Sequence, residues 1–215
     1  GRIEWRNRLI LIGLALLALA ASGPQIGMRV RPIERKGVDL VIALDTSTSM
    51  DAEDVTPSRL AKAKFELGRL IRKLKGDRVA IIVFAGSSHL YLPLTTDYEA
   101  ALLFLNEIDT DMIPTQGTAL SSAMKTAMNA FTEETDKFKV MLMVTDGEDH
   151  EGQAVELATQ AAKSGLMINT VGVGSEMGSL IPLKGKDRNT NEYKRDRDGK
   201  LITSTLNERI LIDIA

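Results

Sequence analysis

The stretch Val38-Asp39-Leu40-Val41-Ile42-Ala43-Leu44-Asp45-Thr46-Ser47-Thr48-Ser49-Met50 restricts the fold more than any other part of the chain. A run rich in β-branched residues, with hardly a polar position to face water, predicts a strand buried on both faces. That is the pattern of a parallel sheet covered by helices. The run stops abruptly at Asp45, and Ser47 and Ser49 stand two and four positions further on. Open α/β sheets bind ligands at the carboxyl ends of their strands, so this strand delivers an acid and two hydroxyls to that edge. Such oxygens suit a hard divalent cation. Alone, the D-x-S-x-S pattern is short and leaves three readings open: a cation site, a phosphatase-like acid, or serines that cap a turn.

The same alternation of strand and helix continues downstream. Ser58 is a candidate N-cap for a helix over residues 59 to about 75, with Leu60, Ala63, Phe65, Leu67, Leu70, Ile71 and Leu74 as its apolar face. Residues 79–84 read as a second buried strand, and 89–94, which contain Pro93, as an edge strand. Asp97 can cap a helix from 98 to about 108. Helices are expected over 119–131 and 153–163, and strands over 140–144 and 167–173. This order predicts an α/β fold: a doubly wound, mainly parallel sheet with one antiparallel edge strand. Residues 38–215 form the domain, with 38–174 as its core. Within the extension 175–215, Tyr193 to Ser204 bracket Asp198-Gly199 as a hairpin would, and an apolar helix begins at Asn207.

Ahead of the domain, Trp5 stands among Arg2, Arg6 and Arg8, and residues 9–21 carry no charge. A helix over 9–23 would be about 22 Å long, short of a hydrocarbon core of about 30 Å. The run is nevertheless apolar on every face, and Trp and Arg suit a membrane interface. The expectation is a membrane-anchor helix with a basic flank over 1–25 and a linker over 26–37. Ala18, Ala20 and Ala21 also keep a signal-peptide cleavage site open. The chain is expected to be a piece of a longer protein.

Composition removes several function classes. A formal net charge of −2 offers no electrostatic case for nucleic acid. The absence of cysteine excludes disulfides and thiolate metal sites, and two histidines, His89 and His150, do not make a His-rich zinc site.

Two later loops extend the first. Gln116-Gly117-Thr118 brings a hydroxyl to the start of a helix, and Val144-Thr145-Asp146-Gly147 ends a strand in a second acid. In a doubly wound sheet all three loops fall on one edge. Asp45, Ser47, Ser49, Thr118 and Asp146 are therefore expected to form one oxygen cluster, with Asp51, Glu148 and His150 on its rim. Ser47 stands where a haloacid-dehalogenase-type phosphatase has a second acid, and no paired general base is evident. An enzyme is therefore not expected. A Mg²⁺-dependent hydrolase or phosphoryl-transfer enzyme, and a scaffold with a vestigial site, are the alternatives.

These three loops resemble the metal-ion-dependent adhesion site (MIDAS) of von Willebrand factor A domains, also called integrin I-type domains. There the site consists of D-x-S-x-S, a threonine from a second loop and an aspartate from a third. All five positions match, and the resemblance covers residues 38–173. It implies Mg²⁺, or Mn²⁺ or Ca²⁺, held by the five residues, with a coordination position left for an Asp or Glu of a protein partner. Gly23-Pro24-Gln25, Leu180-Ile181-Pro182-Leu183 and Lys194-Arg195-Asp196-Arg197-Asp198-Gly199 resemble the bacterial aerotolerance (Bat-type) membrane proteins. That narrower resemblance implies a domain anchored in the bacterial inner membrane and facing the periplasm. It also implies other Bat-type proteins and a MoxR-type ATPase as partners.

Overall fold

The structure, a computed structural model, describes residues 1–21, 37–131, 137–149, 152–183 and 192–215. The chain divides into two units, Gly1–Arg35 and Lys36–Ala215.

In the first unit, α1 runs over Arg2–Ala21 and buries none of its residues. Among the described residues no helix is long and apolar enough to cross a membrane, which corrects the expected anchor helix. The physical reason is charge: Arg2, Glu4, Arg6 and Arg8 occupy the first two turns of α1. The uncharged remainder, residues 9–21, rises only about 20 Å. Gly23-Pro24-Gln25 and residues 26–36 of the expected linker lie outside the described residues.

The second unit is built on five strands, β1 (Val38–Asp45), β2 (Arg78–Phe84), β3 (Ser88–Thr95), β4 (Phe138–Thr145) and β5 (Leu166–Gly172), in the spatial order β3-β2-β1-β4-β5. All neighbours are parallel except β2 and β3, which pair antiparallel. The expected architecture is thus observed, with the Pro93-containing strand at the edge. The order of the strands puts β1 in the middle, which explains its unbroken apolar run.

Alternate residues of β1 enter different cores. Leu40, Ile42 and Leu44 pack with α2 (Arg59–Ile71) and α3 (Tyr98–Glu107), while Val41 and Ala43 pack with α4 (Leu120–Ala130) and α5 (Ala154–Lys163). Helices cover both faces of the central strands and leave their ends to the loops. Those ends are where the polar residues gather.

Helix α2 begins where expected, because the Ser58 side chain accepts from the Ala61 N–H at 3.2 Å. It is shorter than expected, and Phe65 is not on its buried face. Leu60, Ala63, Leu67 and Ile71 are buried, whereas Phe65 is 61% exposed under the cations of Lys62 and Arg69. Position 65 falls on the helix face opposite Ala63, Leu67 and Ile71 and beside Lys62 and Arg69, so cation–π contact replaces core packing. Asp97 caps α3 through the Ala100 N–H at 3.0 Å.

The extension contains a pairing that its composition does not announce. β6 (Ser179–Leu180) pairs antiparallel with β7 (Thr203–Ser204), and an Arg195–Leu201 bridge closes the expected hairpin. The chain then enters α6 (Glu208–Ile214), which buries Leu211 and Ile214.

Candidate functional site

Asp45 and Thr145 are the last residues of the parallel neighbours β1 and β4. Adjacent parallel strands end side by side, which brings Asp45 and Asp146 together. The third loop arrives through the turn after β2. The Gly86 N–H donates to the Thr115 carbonyl at 2.9 Å and the Ala119 N–H to the Ala85 carbonyl at 2.8 Å. Gln116 then reaches back, its Oε1 accepting from the Thr48 N–H at 3.2 Å. Asp45, Ser47, Ser49, Thr118 and Asp146 are all buried, on three loops that follow the carboxyl ends of the central strands.

The Ser47 N–H donates to Asp45 Oδ1 at 2.8 Å, and the Thr145 hydroxyl donates to Asp45 Oδ2. Ser47 Oγ and Ser49 Oγ lie 2.9 Å apart. Ser47 starts a single 3₁₀ turn over Thr48–Asp51 without giving it a side-chain cap, which weighs against serines that only cap a turn. Burial first, and then the charge of Asp146, push the Asp45 carboxyl up to about 7 against the hydrogen bonds from Thr145 and Ser47. Two buried acids on neighbouring strand ends repel each other in the ionised form.

Asp146 has its own counter-charge, one the sequence reading missed. Arg59 is fully buried at the start of α2. Its Nη1 donates to Asp146 Oδ2 at 3.0 Å and to Ser204 Oγ at 2.8 Å, and its Nη2 to the Ser204 carbonyl at 3.2 Å. The opposite edge of the guanidinium grips Asp54 through Nε at 2.9 Å and Nη2 at 2.8 Å. Burial works against the Arg59 charge, but the hydrogen bonds and charge of Asp54, with the charge of Asp146, raise its pKa further. Asp146 Oδ2 also accepts from Ser204 Oγ at 3.1 Å, and Oδ1 accepts from the Glu148 N–H at 3.3 Å. The missed signal was helical spacing. Arg59, Ala63, Leu67 and Ile71 recur every four residues, so the arginine stands on the buried row.

The rim residues fare differently from the cluster. Asp51 is half-buried and accepts from the Thr110 hydroxyl at 2.8 Å. Glu148 follows Asp146 on the same loop and is half-buried, and His150 lies outside the described residues. Among the described residues no group of three or more His, Cys, Asp or Glu side chains could hold a metal. A cation here would rest on two acids plus hydroxyls. That donor set fits Mg²⁺, which takes oxygen ligands at about 2.0–2.1 Å in octahedral geometry. Two adjacent octahedral ligands at that radius stand about 2.9 Å apart, as the two serine oxygens do.

A parallel sheet with an antiparallel edge, with acids and hydroxyls on the loops that follow its central strands, defines a class of α/β domain. The chain belongs to the von Willebrand factor type A (VWA) domain family, whose model matches residues 40–148. It is similar to the crystal structure of the conserved hypothetical protein BatB from Bacteroides thetaiotaomicron, at 45% identity and a TM-score of 0.79. The match covers 83% of this chain and 85% of that one. An aerotolerance-related membrane protein from Bacteroides fragilis shares 42% identity with a TM-score of 0.79, covering 83% and 86% of the two chains. A UPF0353 protein of Nocardia farcinica is 27% identical over 186 residues, covering 80% of this chain and 55% of that protein. The chain thus spans about half the length of the curated relatives it matches.

Proposed function

We propose that this chain is a divalent-cation-dependent protein-binding module. Its cation would be held by Asp45, Ser47, Ser49, Thr118 and Asp146, and its ligand would be a carboxylate of a partner protein. The observation that carries this reading is the paired hydroxyls of Ser47 and Ser49, 2.9 Å apart and buried beside two acids, one of which resists ionisation. Neutral hydroxyls neutralise a dication poorly. A bound cation would therefore supply a Lewis-acidic position that favours a further anionic oxygen. The acids orient the site: Asp45 is fixed by Thr145 and the Ser47 amide, and Asp146 by Arg59 and Ser204.

The similarity to a Bacteroides protein named as a membrane protein supports attachment of the full-length protein to the bacterial inner membrane, with this domain in the periplasm. Other Bat-type proteins and a MoxR-type ATPase are the partners this reading favours. Mg²⁺ is the favoured ion, with Mn²⁺ or Ca²⁺ able to replace it.

Calorimetry with Mn²⁺, together with affinity capture from a membrane extract, tests the reading. The expected result is stoichiometric Mn²⁺ binding that is lost in S47A/S49A, and a captured protein that disappears in chelator and in D45A. An identical set of captured proteins in all three conditions would overturn it. So would metal-dependent turnover of a phosphoester panel that is lost in D45N, which would favour a hydrolase.

A further inference from the structure

The extension after β5 touches the candidate site at a second point. Three segments of its chain pair in two steps: the Leu183 N–H donates to the Glu192 carbonyl at 2.8 Å, the Lys194 N–H to the Ile181 carbonyl at 2.9 Å, and the Ile202 N–H to the Lys194 carbonyl at 2.9 Å. Lys194 is thus the middle of a short antiparallel ladder, pinned on both sides by backbone. From there its side chain reaches the first loop of the candidate site. The Lys194 Nζ donates to the hydroxyl of Thr48, the residue between Ser47 and Ser49.

This lysine is electrostatically unfinished. Its acceptor is a neutral hydroxyl, and among the described residues no carboxylate forms an ion pair with it. An ammonium has three donors. Lys194 and Arg195 line a cleft of about 570 Å³ with Leu183, Glu192, Tyr193 and Leu201. The lining carries two cationic residues and one acid, Glu192. Arg195 spends one donor on the Gly199 carbonyl at 2.7 Å.

We infer that Lys194 and its cleft form a second acidic subsite beside the Asp45–Ser49 loop, so that the preferred ligand is a peptide segment carrying more than one Asp or Glu. One carboxylate serves the cation and a neighbouring one takes the Lys194 ammonium. The inference rests on the metal-dependent reading above and names the ligand class of that same site. The extension then does more than cover the strand ends, because it selects against partners that present a solitary acid. A like-charged or neutral flank on the partner leaves Lys194 with a hydroxyl alone.

The test uses two synthetic Gly/Ser peptides with neutral dyes and amidated C-termini, one with a single glutamate and one with four in a row. Anisotropy is followed for the wild-type chain, K194Q and K194R in Mg²⁺ and in chelator. K194Q keeps a donor for Thr48 and removes the charge. In Mg²⁺ the four-glutamate peptide should bind K194Q roughly tenfold more weakly than wild type, the scale of one charge-assisted hydrogen bond. K194R should restore most of the loss, and the single-glutamate peptide should bind all three alike. Chelator-sensitive binding with wild-type affinities in K194Q overturns the inference alone. Binding of both peptides that survives chelator, or no binding of either to the Mg²⁺-loaded wild type, overturns the metal-dependent reading and the inference with it.

Discussion

Asp146 owes its orientation to Arg59, and the arginine owes its burial to having two acids to serve. Five hydrogen bonds leave the guanidinium, to Asp54, Asp146 and Ser204. Gly174 completes the enclosure: at φ +134° a Cβ there would stand 2.7 Å from the guanidinium carbon, so the backbone closes on the arginine only because no side chain intervenes. Removing one partner of a buried ion pair strands the other. R59M should therefore cost about 3–5 kcal/mol in urea unfolding. R59K should recover little of it, because an ammonium cannot span both carboxylates as a planar fork does. A loss below about 1 kcal/mol for R59M would mean that water replaces the guanidinium. The same contact sets a pH dependence. The Arg59 hydrogen bond, opposed by burial and helped by the Ser175 N–H, holds Asp54 below its ordinary value of 3.8. A depressed carboxyl contributes stability that is fully present above its unfolded value and disappears as pH falls through its folded one. The stability gap between wild type and D54N should be flat from about pH 8 to about pH 5 and close below about pH 4, read from urea midpoints at each pH.

Helix α2 shows which parts of the molecule its sequence announces. Its N-cap at Ser58 was legible because a hydroxyl followed by an apolar-periodic run is a local signal that needs no tertiary partner. The strands were legible for a related reason: burial on both faces leaves an apolar run that no surface element would carry. That Asp45 and Asp146 fall at the ends of neighbouring strands was legible, because strand order fixes where loops go. Side chains that answer only to distant chain were not. Phe65 looked like core by hydrophobicity, yet its angular position puts it over Lys62 and Arg69. Thr145 and Ser204 serve Asp45 and Asp146 across 100 and 58 residues of chain, distances at which local pattern carries no information. In the extension the hairpin around Asp198-Gly199 and the helix after Asn207 were legible, whereas the β6–β7 pairing was not, because two-residue strands are too short to show periodicity. Paired substitutions in α2 separate the two kinds of apolar residue. L67A removes a side chain that is 4% exposed inside the core and should cost about 2–5 kcal/mol. F65A removes one that is 61% exposed and should cost less than about 1 kcal/mol, the scale of an exposed cation–π contact. Equal urea midpoints for the two variants would show that α2 is seated by another face.

For the domain as a whole, the sheet stores a charge conflict at the carboxyl ends of its central strands. Both cores lie below the strand ends that carry Asp45 and Asp146, and burial there works against the ionised form of Asp45. Asp45 gives the sign. Its folded pKa stands above the ordinary 3.8, at about 7, so its ionised form destabilises the metal-free fold. That cost is absent below pH 3.8 and fully developed above about pH 7. Natural domains retain such a penalty where a ligand removes it. D45N takes the penalty away while an amide can still accept from the Ser47 N–H and face the Thr145 hydroxyl. At pH 8 without divalent cations, D45N should therefore melt at or above the wild-type temperature. Adding Mg²⁺ should reverse the order. A cation that binds only the folded state stabilises by RT ln(1 + [L]/Kd), about 2.7 kcal/mol at a hundredfold excess over Kd. That gain goes to the wild type and not to the variant, which lacks the charge the cation needs. At pH 5 the metal-free difference should shrink, because folded Asp45 then keeps its proton. Calorimetric melting of both proteins, with and without Mg²⁺ at the two pH values, reads all of these at once. If Mg²⁺ raised both melting temperatures equally, the ion would be acting elsewhere on the molecule. If D45N were the less stable protein without metal at pH 8, Asp45 would be a structural acid rather than one held ready for a cation.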